Sequence, residues 1–202
     1  MLVAEHPPLV GRDAEQQALA DAVAATVGDE PSVVALFGEA GIGKSALLRD
    51  LRERAAAAGL RVLEGRAAEH ERDVPFALAI EALDDAAEAL GPSRFASLGP
   101  ERQAELAAVL PSVEAPEGVA PPATGAEERF RLHRALRSLI ELLAREKPVA
   151  LLLDDVHWAD DASLELLLHL LRRPPRAPHL LAFALRPVDP APRVRDALRS
   201  AA

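Results

Sequence analysis

VVALFGEAGIGKS, residues 33–45, joins a short apolar run to a segment with the composition of a helix. The apolar residues 33–37 have the length and the β-branched content of a strand, and residues 46–58 are compatible with a helix. Between them, residues 38–45 read G-x-x-x-x-G-K-S, which is the pattern of a phosphate-binding loop when a strand precedes it and a helix follows. The pattern and its position together predict a nucleotide site.

The residue types of this loop suit phosphate chemistry. Glycines let the backbone turn tightly and point its N–H groups at phosphate oxygens, at the positive end of the following helix. We expect the Lys44 ammonium to reach the β and γ phosphates and the Ser45 hydroxyl to bind Mg²⁺. The Glu39 side chain has no required role. The nucleotide-binding residues predicted here are Gly38, Glu39, Ala40, Gly41, Ile42, Gly43, Lys44, Ser45 and Ala46. An ordinary glycine turn before a helix is the alternative.

The composition narrows the class of protein. With 202 residues, of which 50% are hydrophobic and 27% charged, the chain is large enough to bury a core. A net charge of −9 disfavours direct nucleic-acid binding by this segment. The lack of cysteine excludes disulfides and thiolate metal sites and fits a reducing compartment. Since the sequence has neither a signal-peptide pattern nor an apolar run of about 18 residues, we predict a cytoplasmic protein without a membrane partner.

Strand-like and helix-like segments alternate along the chain. Further strands are predicted near residues 60–65, 148–153 and 179–185. Every residue from 148 to 153 is apolar, which indicates a strand buried on both faces, as in parallel sheets flanked by helices. Asp13 is positioned to cap the first helix, and Asp160 to cap a helix over 162–172. The alternation predicts an α/β fold with a largely parallel sheet.

We expect one domain over residues 1–202, with three less regular parts. Residues 1–31 form an N-terminal segment and helix before the first predicted strand. Residues 91–125 form a loose insertion, with a helix near 100–110 and a proline-rich flexible loop over 111–125. Residues 187–202 begin a C-terminal part.

Charged residues follow two of the predicted strands. Asp154 and Asp155 end one strand and Arg186 ends another, so they lie at the sheet edge where the phosphate loop also lies. We expect Asp154 to hold Mg²⁺ together with Ser45, and Asp155 to orient or deprotonate the attacking water. Arg186 is expected to sense or neutralise the γ phosphate. A helix cap for the aspartates and a surface position for the arginine are the alternatives.

Three stretches together resemble a known family. These are LVGR at 9–12, GEAGIGKS at 38–45 and LLLDDVHWAD at 151–160, and they are similar to the ATPase domain of STAND-type regulators. The likeness is closest to the Orc1-like AAA-type ATPase module of large bacterial LuxR-family (MalT-like) transcriptional regulators and covers about residues 8–187. It implies a three-layer P-loop NTPase with sheet order 2-3-4-1 and a fifth strand outside strand 1.

The resemblance also assigns residues. It implies that Val10, Gly11 and Arg12 lie near the adenine base, and that Arg186 ends the sensor strand. That arginine follows Ala184-Leu185 here, where related switch ATPases often have threonine or serine before it. The family's fifth strand, lid, helical sensor and DNA-binding parts do not occur before residue 202. We therefore expect a fragment or a truncated stand-alone protein, with one sheet edge uncovered and open to a second copy.

The expected function is that of a switch domain that binds ATP or ADP with Mg²⁺, hydrolyses ATP slowly and serves a signal-responsive transcriptional regulator. A nucleotide-binding assembly module without significant hydrolysis is the first alternative. A small-molecule kinase is the second, and it is disfavoured because no arginine-rich lid follows the phosphate loop. His157 and Trp158 are expected to pack near the site. Trp158, the single tryptophan, is a potential reporter of nucleotide binding.

Overall fold

The computed structural model of the chain describes residues 11–119, 126–188 and 190–201. Within these ranges it contains four β-strands, β1 (Ser32–Phe37), β2 (Arg61–Arg66), β3 (Val149–Asp154) and β4 (His179–Leu185). Its eight α-helices in the same ranges are α1 (Asp13–Val27), α2 (Lys44–Ala57), α3 (Ala77–Leu90), α4 (Pro92–Phe95), α5 (Pro100–Ala107), α6 (Ala126–Ala144), α7 (Asp161–Arg172) and α8 (Ala191–Ala201). Short 3₁₀ helices lie at Glu69–Glu71, Ala96–Leu98 and Val156–Trp158.

The four strands form one parallel sheet in the order β1-β4-β3-β2. This is the predicted order 2-3-4-1 read from the opposite edge, so the prediction is confirmed. In the register, Phe37 pairs with Leu185, and Arg66 pairs with Asp154. The last residues of neighbouring strands are therefore side by side, at the carboxyl end of the sheet.

Helices cover both faces of the sheet, which gives three layers. Alternate residues of β3 and β4, including Leu152 and Leu180, pack against α1 and α2. The residues between them, including Leu151 and Phe183, face the larger core built with α3, α6 and α7. Residues 149–153 are buried throughout, which confirms the strand predicted to be covered on both faces. No helix in the described ranges is both long enough and apolar enough to cross a lipid bilayer.

Asp160 caps α7, as predicted, and also holds a second helix. Its Oδ1 accepts hydrogen bonds from the Ser163 backbone N–H at 2.9 Å and from the Phe76 backbone N–H at 2.8 Å. Phe76 precedes α3 and has φ of 63°, a left-handed conformation that is costly for a residue with a side chain. One buried carboxylate thus fixes the starts of α3 and α7 to each other.

The prediction that Asp13 caps α1 is wrong. Arg12 occupies the cap position and makes no side-chain capping bond, whereas Asp13 is the first helical residue. A carboxylate in the first turn still interacts favourably with the helix dipole, so the aspartate stabilises the same helix end from inside it.

The region after α3 contains short helices and then an irregular segment. The helix predicted near 100–110 is present as α5. Residues 111–119 contain neither helix nor strand, and residues 120–125 of the predicted flexible loop lie outside the described ranges. Ser112 attaches the start of this segment to α3, because its N–H donates to the Asp84 carboxylate at 3.0 Å. Val113 is buried beside it.

Candidate functional site

The candidate site lies where the parallel strands end. Gly38 follows β1, and its N–H donates to the carbonyl of Leu185, the last residue of β4, at 3.3 Å. Asp154 ends β3 beside Arg66, the last residue of β2. The register thus places the phosphate loop, the aspartate pair and Arg186 together at the carboxyl end of the sheet.

The phosphate loop has the backbone that its glycines predict. Gly41 and Gly43 have φ of 76° and 92°, in the left-handed region that favours glycine. At Gly38 the loop folds back so closely that an added Cβ would lie 2.9 Å from Ile42 Cγ2. The start of α2 has no side-chain capping bond. Because the first N–H groups of a helix have no partner within the helix, this uncapped start suits an anion.

Lys44 is the first residue of α2 and is only 9% exposed. Its ammonium donates to the carbonyls of Gly38 and Glu39 at 2.8 and 2.9 Å. These carbonyls belong to the loop that the ammonium would cross to reach a phosphate. The lysine is therefore held at the loop by backbone oxygens and not by a carboxylate.

The predicted adenine-contacting segment is described only in part. Val10 lies outside the described ranges, and Gly11 has φ of 74°. The Arg12 guanidinium donates to the carbonyl of Ile42. An added Cβ on Gly43 would be 3.5 Å from Arg12 Nη2. The structure therefore places Arg12 against the phosphate loop.

Ser45 and Asp154 line one open cavity of about 340 Å³. A hydroxyl and a carboxylate are oxygen ligands of the kind that Mg²⁺ accepts, with the remaining ligands supplied by water and phosphates. Asp154 Oδ1 accepts the Asp155 backbone N–H at 2.8 Å. In the described part of the chain, no cluster of three or more acidic, histidine or cysteine side chains is arranged to hold a metal. The pair therefore fits an ion that is bound jointly with a nucleotide.

Asp155 is held by an arginine that the sequence analysis did not select. Arg66 donates to Asp155 Oδ2 from Nε at 3.1 Å and from Nη2 at 2.9 Å. The hydrogen bond and the charge of Asp155 raise the pKa of Arg66. The Arg66 backbone N–H in turn donates to Glu81 of α3 at 2.6 Å. Asp155 itself has φ of 51°, so its backbone is constrained as well.

His157 and Trp158 pack beside the site, in the 3₁₀ helix that follows Asp155. His157 is 3% exposed, and burial lowers the pKa of its imidazole, with the Arg186 charge as the next cause. The Trp158 ring lies 5.1 Å from the His157 ring, between centroids. Two guanidinium groups lie over Trp158, with Cζ of Arg72 at 4.9 Å and Cζ of Arg186 at 6.0 Å from its centroid.

A second cavity gives solvent access to Asp155. It measures about 720 Å³ and extends from Arg66 and Asp155 past Trp158 to α3. Water can therefore approach the carboxylate predicted to orient it. Sequence reasoning missed Arg66 and Arg72. For Arg66 a signal existed, because order 2-3-4-1 places the end of strand 2 beside the aspartates that end strand 3.

Three comparisons relate the chain to known proteins. The family model described as "AAA ATPase domain" matches residues 8–183. An uncharacterized protein of Rhizobium meliloti (strain 1021) is 29% identical over 223 residues, covering 95% of this chain and 20% of the relative. The chain thus spans about a fifth of that relative's length. Among solved structures, the Orc1 protein of Aeropyrum pernix in complex with DNA is similar, with 22% identity, a TM-score of 0.49, and coverage of 95% of this chain and 44% of that one.

Proposed function

We propose, because this chain belongs to the AAA ATPase domain family, that it binds ATP with Mg²⁺, hydrolyses it slowly and acts as the switch of a larger regulator. One observation carries the proposal. The phosphate loop leads into a helix start without a side-chain cap that bears Lys44 and Ser45, at the end of the sheet where Asp154 is the last residue of β3 and Asp155 follows it. Nucleotide binding is what the family implies, and the assignments below concern the individual residues.

Binding uses the loop and the residues around it. The N–H groups at the start of α2 donate to phosphate oxygens, and the Lys44 ammonium leaves its two carbonyls for the β and γ phosphates. Ser45 and Asp154 would hold Mg²⁺, which neutralises phosphate charge when bound. Arg12, against the loop, and Gly11 form the wall beside which we place the rest of the nucleotide. The family resemblance assigns the same contact to Val10.

Hydrolysis uses Asp155 and Arg186. Asp155 orients a water molecule and accepts its proton as the water oxygen forms a bond to the γ phosphorus. The bond from that phosphorus to the oxygen shared with the β phosphate breaks, and ADP and inorganic phosphate leave. Lys44 and Arg186 balance the charge that develops on these oxygens. Asp155 must first leave Arg66, which supports a slow reaction.

The regulatory part of the proposal rests on sequence likeness and relative length. LVGR at 9–12 and LLLDDVHWAD at 151–160 resemble the switch ATPases of STAND-type, LuxR-family (MalT-like) regulators. The matched relative is about five times longer than the aligned region, which supports a place in a larger chain. We propose a cytoplasmic location and one ATPase domain over residues 1–202. We also propose that other parts bind DNA, because this segment carries a net charge of −9. β1 is an outer strand of the described sheet, and its free side is the proposed site of pairing with a second copy.

An assembly module without hydrolysis is the second candidate, and the Arg66–Asp155 ion pair favours it. In that case nucleotide holds the domain in shape and Asp155 serves only to anchor Arg66. The variant Asp155→Asn separates the two candidates. It should bind ATP but lose turnover if Asp155 handles the water, whereas an assembly module has no turnover to lose.

Calorimetric titration tests nucleotide binding. The protein is titrated with ADP and with a non-hydrolysable ATP analogue, each with Mg²⁺, alongside Lys44→Ala and Lys147→Ala. Lys147 is the second lysine of the chain. It is exposed and precedes β3, at the amino end of the sheet, opposite to the end that bears the candidate site. We expect binding by the unchanged protein and by Lys147→Ala and a loss of at least about tenfold in Lys44→Ala. Equal binding by both variants would contradict the assigned site.

A further inference from the structure

The Trp158 indole is the point where two separate connections of the fold meet. Arg72 comes from the connection between β2 and α3, and Arg186 follows β4. The Cζ atoms of these two arginines lie 4.9 and 6.0 Å from the ring centroid, within the range of a cation–π interaction. One aromatic ring thus contacts two arginines, one that precedes the aspartate pair in the sequence and one that follows it.

The backbone that carries the ring is also hydrogen-bonded to Asp155, the residue proposed to orient water. The Trp158 backbone N–H donates to the Asp155 carbonyl at 2.8 Å, and Arg72 Nη2 donates to the His157 carbonyl at 3.3 Å. The backbone of Trp158 is therefore tied to that of Asp155 by one short 3₁₀ turn, and Arg72 contacts both this turn and the indole.

Electrostatics explain why an aromatic partner suits Arg186. Arg186 follows β4, and β4 is the direct neighbour of β3, which ends at Asp154. Burial lowers the pKa of His157 first, and the charges of Arg186 and Asp155 also act on it. An arginine at the same end of the sheet as two carboxylates gains energy if it pairs with them, and that pairing would occupy the oxygens needed for Mg²⁺ and water. An indole holds a guanidinium without forming a charge pair, and a contact at 6.0 Å is weak enough to yield to a phosphate.

We infer that Trp158 is a positioning residue, which holds the Arg186 guanidinium away from the two aspartates and available to the γ phosphate. The inference rests on the proposed function. The preference of the site for ATP over ADP then depends on the indole as well as on Arg186. Arg72 has the supporting role of holding the indole in place.

The test measures the ratio of the affinities for a non-hydrolysable ATP analogue and for ADP, with Mg²⁺. Trp158→Ala should lower this ratio by up to roughly fivefold, the factor that corresponds to one solvent-accessible ion pair with an aspartate that Arg186 would then have to leave. Trp158→Phe keeps a ring and should retain most of the ratio. Arg186→Ala should lower it at least as much as Trp158→Ala, and the double variant should be no worse than Arg186→Ala, because the tryptophan acts through the arginine.

Phe130 supplies the matched control. It lies on α6, and two guanidinium groups lie over its ring, Arg134 at 5.9 Å and Arg173 at 5.3 Å. Phe130→Ala removes an aromatic ring with two arginine contacts outside the candidate site, and it should leave the ratio unchanged. A comparable fall in Phe130→Ala would show a general loss of packing and would overturn the inference.

Fluorescence gives a second reading that needs no change at Trp158. The chain has one tryptophan and no tyrosine, so its emission reports on this ring alone. The ATP analogue should change the emission more than ADP does, and Arg186→Ala should remove that difference. An unchanged ratio in a folded Trp158→Ala, additive effects in the double variant, or the same emission difference without Arg186 would each overturn the inference. Failure of the proposed function is distinct, since Lys44→Ala would then bind nucleotide as the unchanged protein does.

Discussion

Replacing Arg66 with alanine should accelerate ATP hydrolysis, because it frees the carboxylate proposed to orient water. Arg66 donates to Asp155 Oδ2 at 2.9 and 3.1 Å. The Arg66 side chain is 69% exposed and that of Asp155 20%, so solvent weakens the pair. Exposed ion pairs contribute about 0.2–1 kcal/mol, and the half-buried carboxylate favours the upper end of this range.

A contribution of about 1 kcal/mol corresponds to a roughly fivefold faster reaction, provided that Asp155 must leave Arg66 before each turnover. Single-turnover hydrolysis with the protein in excess of labelled ATP measures this rate directly. Added salt gives a second reading, because screening weakens exposed pairs. Salt should narrow the difference between Arg66→Ala and the unchanged protein.

Arg61 offers a control on the same strand. It is the first residue of β2, at the opposite end of that strand from Arg66, and pairs with Glu146 at 2.7 Å. Arg61→Ala removes an arginine ion pair of the same kind without touching Asp155, so its hydrolysis rate should not change. A rate for Arg66→Ala at or below that of the unchanged protein, or an equal rise in Arg61→Ala, would refute the proposed restraint on Asp155.

Two further predictions concern stability and can be checked by urea denaturation. Asp160→Ala should lower the free energy of unfolding by about 3 kcal/mol, because it removes a helix cap and leaves the Phe76 N–H without its acceptor. Asp161 is the exposed neighbour, and Asp161→Ala should lower the free energy of unfolding by less than about 1 kcal/mol. Burial, and secondarily the charge of His133, lowers the pKa of His169 to about 4. Between pH 7 and pH 5 the unfolded chain therefore binds the additional proton, and stability should fall by about 1 kcal/mol after allowance for partial exposure. His169→Asn should remove that part of the pH dependence, whereas His70→Asn, at a histidine whose side chain is 84% exposed, should leave it. An unaltered slope in His169→Asn would contradict the assignment.

The layered fold was predictable because its signals are local. A glycine loop between a strand and a helix needs few neighbours to be recognised, and residues 149–153 are buried on both faces as their uninterrupted apolar character indicates. The order of the strands came from family resemblance, because nothing in the composition of a parallel strand identifies its neighbour.

Pairings between distant side chains were not predictable in the same way. Arg66 and Asp155 are 89 positions apart, and only the folded sheet brings them together. Arg72 reaches Trp158 through a connection whose path depends on the left-handed turn at Phe76. Phe130 has an apolar side chain, yet it is 39% exposed, and Arg134 of α6 and Arg173 after α7 lie over its ring.

The hydrogen bonds of Lys44 bear on the stability of the phosphate loop. A nearly buried ammonium without partners costs several kcal/mol. Here the carbonyls of Gly38 and Glu39 accept the ammonium within the loop itself. The loop therefore supplies the acceptors for its own buried charge, so the free energy of the fold does not depend on an anion bound beside this lysine.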